Sequence, residues 1–197
     1  MLVSGSERFT IDDLYELTDL VARTWTSAAD LNWSARAGTL EWNCIASADH
    51  AVDCVYAPAF FLASRKTDGY PAFGLDLTLG PDATPSRLVE SLQTATRMLA
   101  AVVEEAPSDV RAVLFQQPNL MLGAPEDFLP RGATELILHA HDVCIGLGVP
   151  FEPPAGLARR LREHTRPWPM WTIAWNAPDD TNDPWGDLLA ASGRHRP

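Results

Sequence analysis

Length, composition and charge narrow the classes of protein to which this chain can belong. Its 197 residues, 46% of them hydrophobic, are enough to bury a core of ordinary size, which predicts one globular domain with a further C-terminal segment. With 26 acidic and 15 basic residues the formal net charge is -11, which repels nucleic acid and anionic membrane surfaces. We therefore expect neither nucleic acid nor a membrane as a partner.

Targeting signals and the cysteines bear on the cellular compartment. The N-terminus, MLVSGSERFTIDDL, lacks the basic start and apolar run of a secretory signal, and the most apolar window, AVDCVYAPAFFLA, is too short to span a membrane. Cys44, Cys54 and Cys144 form no C-x-x-C pair, and their odd number argues against a closed disulfide framework. The sequence thus predicts a cytoplasmic protein whose cysteines are small buried side chains.

Three amphipathic helices are predicted in the first half of the chain. The first, RFTIDDLYELTDLVARTWTSA, starts at a Thr10 cap, with Asp13 in the acidic position of a capping box. The second, EWNCIASADHAVDCVYAPAFFLASRK, is capped by Asn43, and the third, TPSRLVESLQTATRMLAAVVEE, starts with Thr84 as cap and Pro85 at the first helical position. Apolar residues recur at spacings of three and four in each, which is typical of a helix that buries one face.

A proline-rich stretch separates these helices from a fourth. Residues 107–131 contain four prolines and the predicted short strand VRAVLFQ, so we expect a long crossover connection there. The fourth helix lies within GATELILHAHDVCIGLGVPFEPP and ends near Gly146 or Gly148. Four helices joined in this way predict an all-α four-helix bundle over residues 1–150.

The last part of the chain differs in composition. A short predicted helix, PAGLARRLREHT, precedes a proline-rich stretch that carries four tryptophans, Trp168, Trp171, Trp175 and Trp185. Such a segment gains stability by packing its rings against other apolar groups. We therefore predict that residues 151–197 form an extension packed on the bundle.

Ionisable residues in the apolar fourth helix mark a candidate site. Glu135 and His139 are four residues apart and project side by side, and Asp142 stays near the same face, whereas His141 points elsewhere. A carboxylate and an imidazole so placed supply two ligands to an ion, and His50 on the second helix is a candidate for the third. This spacing favours a metal site between two helices.

A simpler interpretation of the same residues stays open. A histidine on an apolar helix is often a hydrogen-bonded core residue, and Asp142 is then a solvated group or one that orients a neighbouring imidazole. His164 and His195 lie in polar surroundings, so we expect both to be exposed.

Two stretches of this sequence resemble the signatures of a known family. LEWNCIASADH is similar to the tryptophan-led signature that opens the second helix and ends in the metal-binding histidine of the DinB-like, mycothiol-dependent maleylpyruvate isomerase superfamily. ATELILHAHDVCIGLG resembles its second signature, in which a glutamate and a histidine four apart precede an aspartate, and DPWGDLLAASGR is similar to the tail of many actinobacterial members. The resemblance implies an up-down-down-up four-helix bundle.

The resemblance also implies roles for individual residues. His50, Glu135 and His139 match the metal triad of the family, whose ion is zinc or another divalent first-row metal such as Ni²⁺ or Fe²⁺. Arg194, in the GR tail, is the nearest candidate for the catalytic arginine of the isomerase, while other catalytic residues are unassigned. His141 departs from the tryptophan that many relatives carry.

The implied ion has a chemical consequence that defines the expected function. Two neutral imidazoles and one carboxylate leave a divalent ion with net positive charge and open positions, so a bound thiol would lose its proton near neutral pH. The expected partners are a small-molecule substrate and a low-molecular-weight thiol, mycothiol above all, in S-transfer or isomerisation. A homodimer is left open.

Other functions use the same scaffold. The ion could activate water instead of a thiol, which would make a hydrolase. A noncatalytic metal-binding or ligand-binding protein of the DinB-like type and a tailoring enzyme of secondary metabolism also stay open.

Overall fold

Helices dominate the part of the chain that the computed structural model describes, which is residues 8–72, 78–169, 171 and 181–196. The α-helices in these ranges are α1 (Ile11–Ser27), α2 (Cys44–Ser64), α3 (Pro85–Glu105), α4 (Phe128–Leu147), α5 (Ala155–Thr165) and α6 (Pro184–Ala191). Two short antiparallel strands, β1 (Ala112–Phe115) and β2 (Met121–Gly123), form a hairpin between α3 and α4. The predicted, mainly helical class is confirmed.

The predicted helix starts are confirmed by their caps. At α1 the Thr10 hydroxyl accepts from the amide of Asp13, and the Asp13 carboxylate accepts from the amide of Thr10 at 2.9 Å, which is a complete capping box. Asn43 and Thr84 each accept from the amide three residues later, at the starts of α2 and α3. Local side-chain chemistry thus sets where these helices begin.

Helix α4 starts earlier than predicted. It begins at Phe128, inside the segment expected to be a crossover, and ends at Leu147, where the following Gly148 caps the helix in the left-handed conformation with a φ of 69°. Pro130 lies in its first turn, where no intrahelical amide donor is needed, so a proline there is compatible with the helix. The predicted strand in this segment is confirmed by β1.

Helix α2 lies at the centre of the helix packing. It contacts α3 and α4, while α1 also contacts α3 and α4. The buried face of α2 is formed by small and branched side chains, which let its neighbours approach closely: Ala48, Ala51, Val52, Val55, Ala59 and Leu62. Because α2 and α4 face each other, the polar residues of the two helices can meet.

After residue 150, the described residues include the predicted helix and a second helix that was not predicted. Helix α5 matches the predicted segment, and it packs against α4 and α6. Helix α6 begins with Asp183 as cap and Pro184 at the first position, the same type of start signal as at α3. Because the surrounding segment is rich in prolines and tryptophans, no helix was predicted there.

The tryptophans of this segment are largely buried. Trp168, Trp171 and Trp185 are core residues, whereas Trp175 lies outside the described residues. The division of the chain at residue 150 stays a prediction. In the described ranges, no helix combines the length and apolar character needed to cross a membrane.

Candidate functional site

The structure brings His50, Glu135 and His139 together between α2 and α4. The ring centroids of His50 and His139 lie 4.9 Å apart, with the rings nearly perpendicular. The Oε2 atom of Glu135 lies 3.8 Å from Nε2 of His139. The two imidazoles come from different helices, so this proximity depends on how α2 packs against α4.

The two ring nitrogens of His139 face different groups. The side chain is buried, with 7% of the residue exposed, and its Nδ1 lies 3.2 Å from the Ser47 hydroxyl and 3.8 Å from Oδ2 of Asp142. Burial lowers the pKa of His139, an effect that the Glu135 carboxylate opposes and that His50 reinforces. The ring is therefore held neutral near pH 7, which is the form that coordinates metal ions.

Asp142 is a buried carboxylate paired with the C-terminal tail. Only 2% of the residue is exposed, and Nε of Arg194 contacts both of its oxygens at 3.0 Å, while Nη2 lies 2.7 Å from Oδ2. The backbone of Gly38 lies against this carboxylate, since a Cβ added to Gly38 would lie 3.2 Å from Oδ1 of Asp142. Asp142 thus links Arg194 to His139, and the orienting role suggested for it from sequence remains a prediction.

The other histidines lie apart from this cluster. The His141 ring packs against Trp185 at 5.5 Å, and its Nε2 donates to the carbonyl oxygen of His195 at 3.0 Å. His195 is exposed, as predicted. The prediction that His164 is exposed is wrong, because its side chain is only 7% exposed and its Nε2 lies 2.9 Å from Oδ1 of Asp127. Because Asp127 is 37 residues away from His164 in the sequence, the local sequence does not reveal that this imidazole is buried and paired.

Cys54 differs from the other two cysteines. Cys44 and Cys144 are buried, as predicted, but Cys54 is half-buried and its Sγ lies 3.4 Å from Nε2 of His50. Burial raises the pKa of the Cys54 thiol, and the Glu135 carboxylate raises it further. The signal that could have identified Cys54 is its spacing of four residues from His50, the same spacing that joins Glu135 and His139.

The sequence assigned no role to two further residues of the cluster. Arg131, one turn before Glu135, places Nη1 3.1 Å from Oε1 of that carboxylate. Trp42 is 47% exposed, yet its ring lies 5.0 Å from the His50 ring and 6.2 Å from the His139 ring. Glu135 therefore has a guanidinium partner, and the Trp42 indole stacks on the His139 ring and meets the His50 ring edge-on.

The donor chemistry of the cluster suits a divalent first-row ion, for which imidazole, carboxylate and thiolate are ordinary ligands. The side chains lie as two pairs, His50 with Cys54 and Glu135 with His139. Within the described ranges, no three His, Cys, Asp or Glu residues form a group able to hold an ion as they lie. The assignment of His50, Glu135 and His139 as ligands stays a prediction.

Comparison with known proteins gives one structural likeness. No family model and no curated protein matches the sequence. The fold is similar to the crystal structure of a histidine-to-alanine mutant of the mycothiol-dependent maleylpyruvate isomerase, with a TM-score of 0.52 and 15% sequence identity. The match covers 76% of this chain and 65% of that chain. At this identity the likeness shows a similar, mainly helical fold and leaves the activity of this chain to experiment.

Proposed function

We propose that the chain is a metal-dependent enzyme acting on small molecules, built as a DinB-like four-helix bundle in an up-down-down-up arrangement. Helices α1 to α4 form the bundle in this proposal, and residues 151–197 form an extension on it. The contacts of α2 with α3 and α4, and of α1 with the same two helices, support it. The structural likeness to the mycothiol-dependent maleylpyruvate isomerase supports the choice of bundle type.

In this proposal His50, Glu135 and His139 hold one divalent ion, zinc by preference, with nickel and iron as alternatives. The observation that carries it is the convergence of two imidazoles and a carboxylate from facing helices, with 4.9 Å between the His50 and His139 ring centroids. Ser47 and Asp142 lie at Nδ1 of His139, which leaves Nε2 on the side of Glu135. Metal-binding imidazoles are commonly oriented by such partners on the second nitrogen.

The proposed reaction is S-transfer or isomerisation that uses a low-molecular-weight thiol, with mycothiol as the candidate cosubstrate. The bound ion would supply the positive charge that ionises the thiol near neutral pH. In this proposal Asp142, which Arg194 binds, orients His139, and the Trp42 ring packs against the two imidazoles. The isomerase to which the fold is similar is itself named as mycothiol-dependent.

Elemental analysis of protein purified without a metal-affinity tag tests the ligand assignment. We expect about one divalent ion per chain. His50→Ala, Glu135→Ala and His139→Ala should each lose most of it, whereas His141→Ala should keep it, because that ring packs on Trp185. Full metal content in all three variants would show that the ion, if any, is held elsewhere.

A thiol titration of the cobalt-substituted protein tests the reaction class. Binding of a substrate sulfur should alter the absorption spectrum of the protein-bound cobalt in the thiolate-to-cobalt charge-transfer region, with saturation as mycothiol is added. A protein that holds its full complement of cobalt and responds to no cellular thiol would contradict the thiol-dependent enzyme. It would then be a noncatalytic metal-binding protein, a hydrolase or a tailoring enzyme.

A further inference from the structure

Four potential ligands form two matching pairs at the cluster. On α2, His50 and Cys54 are four residues apart, with 3.4 Å between Nε2 and Sγ. On α4, Glu135 and His139 are also four residues apart, with 3.8 Å between Oε2 and Nε2. Each helix thus presents one imidazole and one group that is anionic when bound to a cation.

Both separations are those expected of two ligands on one ion. With zinc–sulfur bonds of about 2.3 Å and zinc–nitrogen bonds of about 2.0 Å, neighbouring ligand atoms of a tetrahedral site lie roughly 3.5 Å apart. The two pairs have nearly this separation already. The His50 and His139 rings, one from each pair, are 4.9 Å apart between centroids, so the two pairs are adjacent across the α2–α4 contact.

We propose that Cys54 is a fourth ligand of the ion that the proposed function assigns to His50, Glu135 and His139. The inference rests on that proposed function. An ion bound to Nε2 of His50 would lie within bonding reach of the Cys54 sulfur, because the sulfur already contacts that nitrogen. Thiolate is a strong ligand for zinc and for the neighbouring first-row metals.

This fourth ligand alters how a substrate thiol enters the site. Four protein ligands complete a tetrahedral zinc site, whereas a catalytic site keeps an open position. Cys54 therefore occupies the position that an incoming thiol needs. The ion would supply the positive charge that ionises the incoming thiol, and Cys54, released from the ion, would take up that thiol's proton. The charge of the site is unchanged.

Cobalt substitution of the full chain, with no thiol added, tests the proposal. We expect a thiolate-to-cobalt charge-transfer band in the wild-type protein. Cys54→Ala should lose the band completely while it still binds cobalt. Cys144→Ala is the matched control, because Cys144 is a buried cysteine of α4 that serves as core packing, and it should keep the band.

The outcomes separate this inference from the proposed function. Cobalt bound without the band, or a band that survives in Cys54→Ala, overturns the role of Cys54 and leaves the three-residue site in place. No cobalt binding by any form overturns both. If Cys54→Ala fails to fold, X-ray absorption of the zinc-loaded wild-type protein decides: one sulfur at about 2.3 Å supports the role of Cys54, and a shell of nitrogen and oxygen alone overturns it.

Discussion

Among single residues, Asp142 carries a carboxylate that is almost completely buried and therefore requires a charged partner. A charge taken out of water is costly unless it is paired and hydrogen-bonded. Arg194 provides both, because its planar guanidinium contacts the two carboxylate oxygens together. The pair also connects the C-terminal tail to the helix that carries His139.

Removing Arg194 should destabilise the fold. Arg194→Ala leaves the Asp142 carboxylate buried without its partner, so we expect a loss of about 3 kcal/mol in the free energy of unfolding, measured by urea denaturation. Arg194→Lys should restore part of this, because an ammonium supplies the charge without the two-pronged contact.

Arg196→Ala is the control for that prediction. Arg196 pairs with Glu152 and Asp183 at the surface, where such pairs contribute less than about 1 kcal/mol. Equal losses in Arg194→Ala and Arg196→Ala would show that burial of Asp142 does not matter.

Among the helices, α1 has a start that is stabilised by two interactions: its own capping box and a contact from α5. Asp13 closes the capping box with Thr10, and Arg160 of α5 binds the same carboxylate through Nε, 3.0 Å from each oxygen. Burial alone would raise the pKa of Asp13, but the hydrogen bonds from Arg160 and Thr10 outweigh it and lower the pKa below its ordinary value of 3.8.

The lowered pKa of Asp13 predicts a loss of stability in acid. A carboxyl group whose pKa is lower in the folded state stabilises the fold above its unfolded pKa, and this contribution disappears as the pH falls below about 4. Asp13→Asn should remove that part of the acid sensitivity and cost about 1 kcal/mol at neutral pH. Denaturant unfolding between pH 3 and 7 measures both. Asp12→Asn, an exposed neighbour in the same turn, should change neither.

The C-terminal end of α4 contains two glycines that are needed for different reasons. A Cβ on Gly146 would run into the carbonyl oxygen of Arg36 and lie 2.5 Å from the Cys44 sulfur, so the helix and the loop before α2 touch there through backbone. A Cβ on Gly148 would meet no neighbouring atom, but the φ of 69° at this position favours glycine.

Alanine substitution should separate these two reasons. Gly146→Ala must push the loop away from α4, and we expect a loss of about 3 kcal/mol in the free energy of unfolding. Gly148→Ala meets only backbone strain, so its loss should be about 1 kcal/mol. Urea denaturation of both variants gives the comparison, and a larger loss at Gly148 would contradict the close contact seen at Gly146.

At the scale of the whole molecule, the candidate site lies between the two helices with the most extensive mutual packing. Helices α2 and α4 each bury a long apolar face, so polar groups between them are costly unless they are satisfied. Ion binding would offset part of that cost and couple the occupancy of the site to the stability of the fold.

Zinc should therefore raise the thermal midpoint of the wild-type protein with saturation. At a free zinc concentration 100 times the dissociation constant, linkage predicts about 2.7 kcal/mol of added stability. His139→Ala should show no such saturable shift, and chelation should reverse the shift in the wild type. Differential scanning calorimetry with and without a chelator measures this, and an identical response of the two proteins would place zinc binding outside the cluster.

Features that depend on neighbours along the chain could be predicted from the sequence alone. Caps at Thr10, Asn43 and Thr84 set helix starts because the capping groups lie within three residues of their partners. The spacing of four residues put Glu135 beside His139 because helix geometry alone places them there.

Contacts between distant parts of the chain depend on how the helices pack and could not be predicted from the sequence. His50 reaches His139 and Arg194 reaches Asp142 because α2 and the tail pack on α4, and no local pattern encodes the direction of that packing. The buried state of His164 and the docking of α6 on α5 have the same origin. Packing between distant segments determines which polar groups are removed from water, and therefore which of them require a hydrogen-bonding or charged partner.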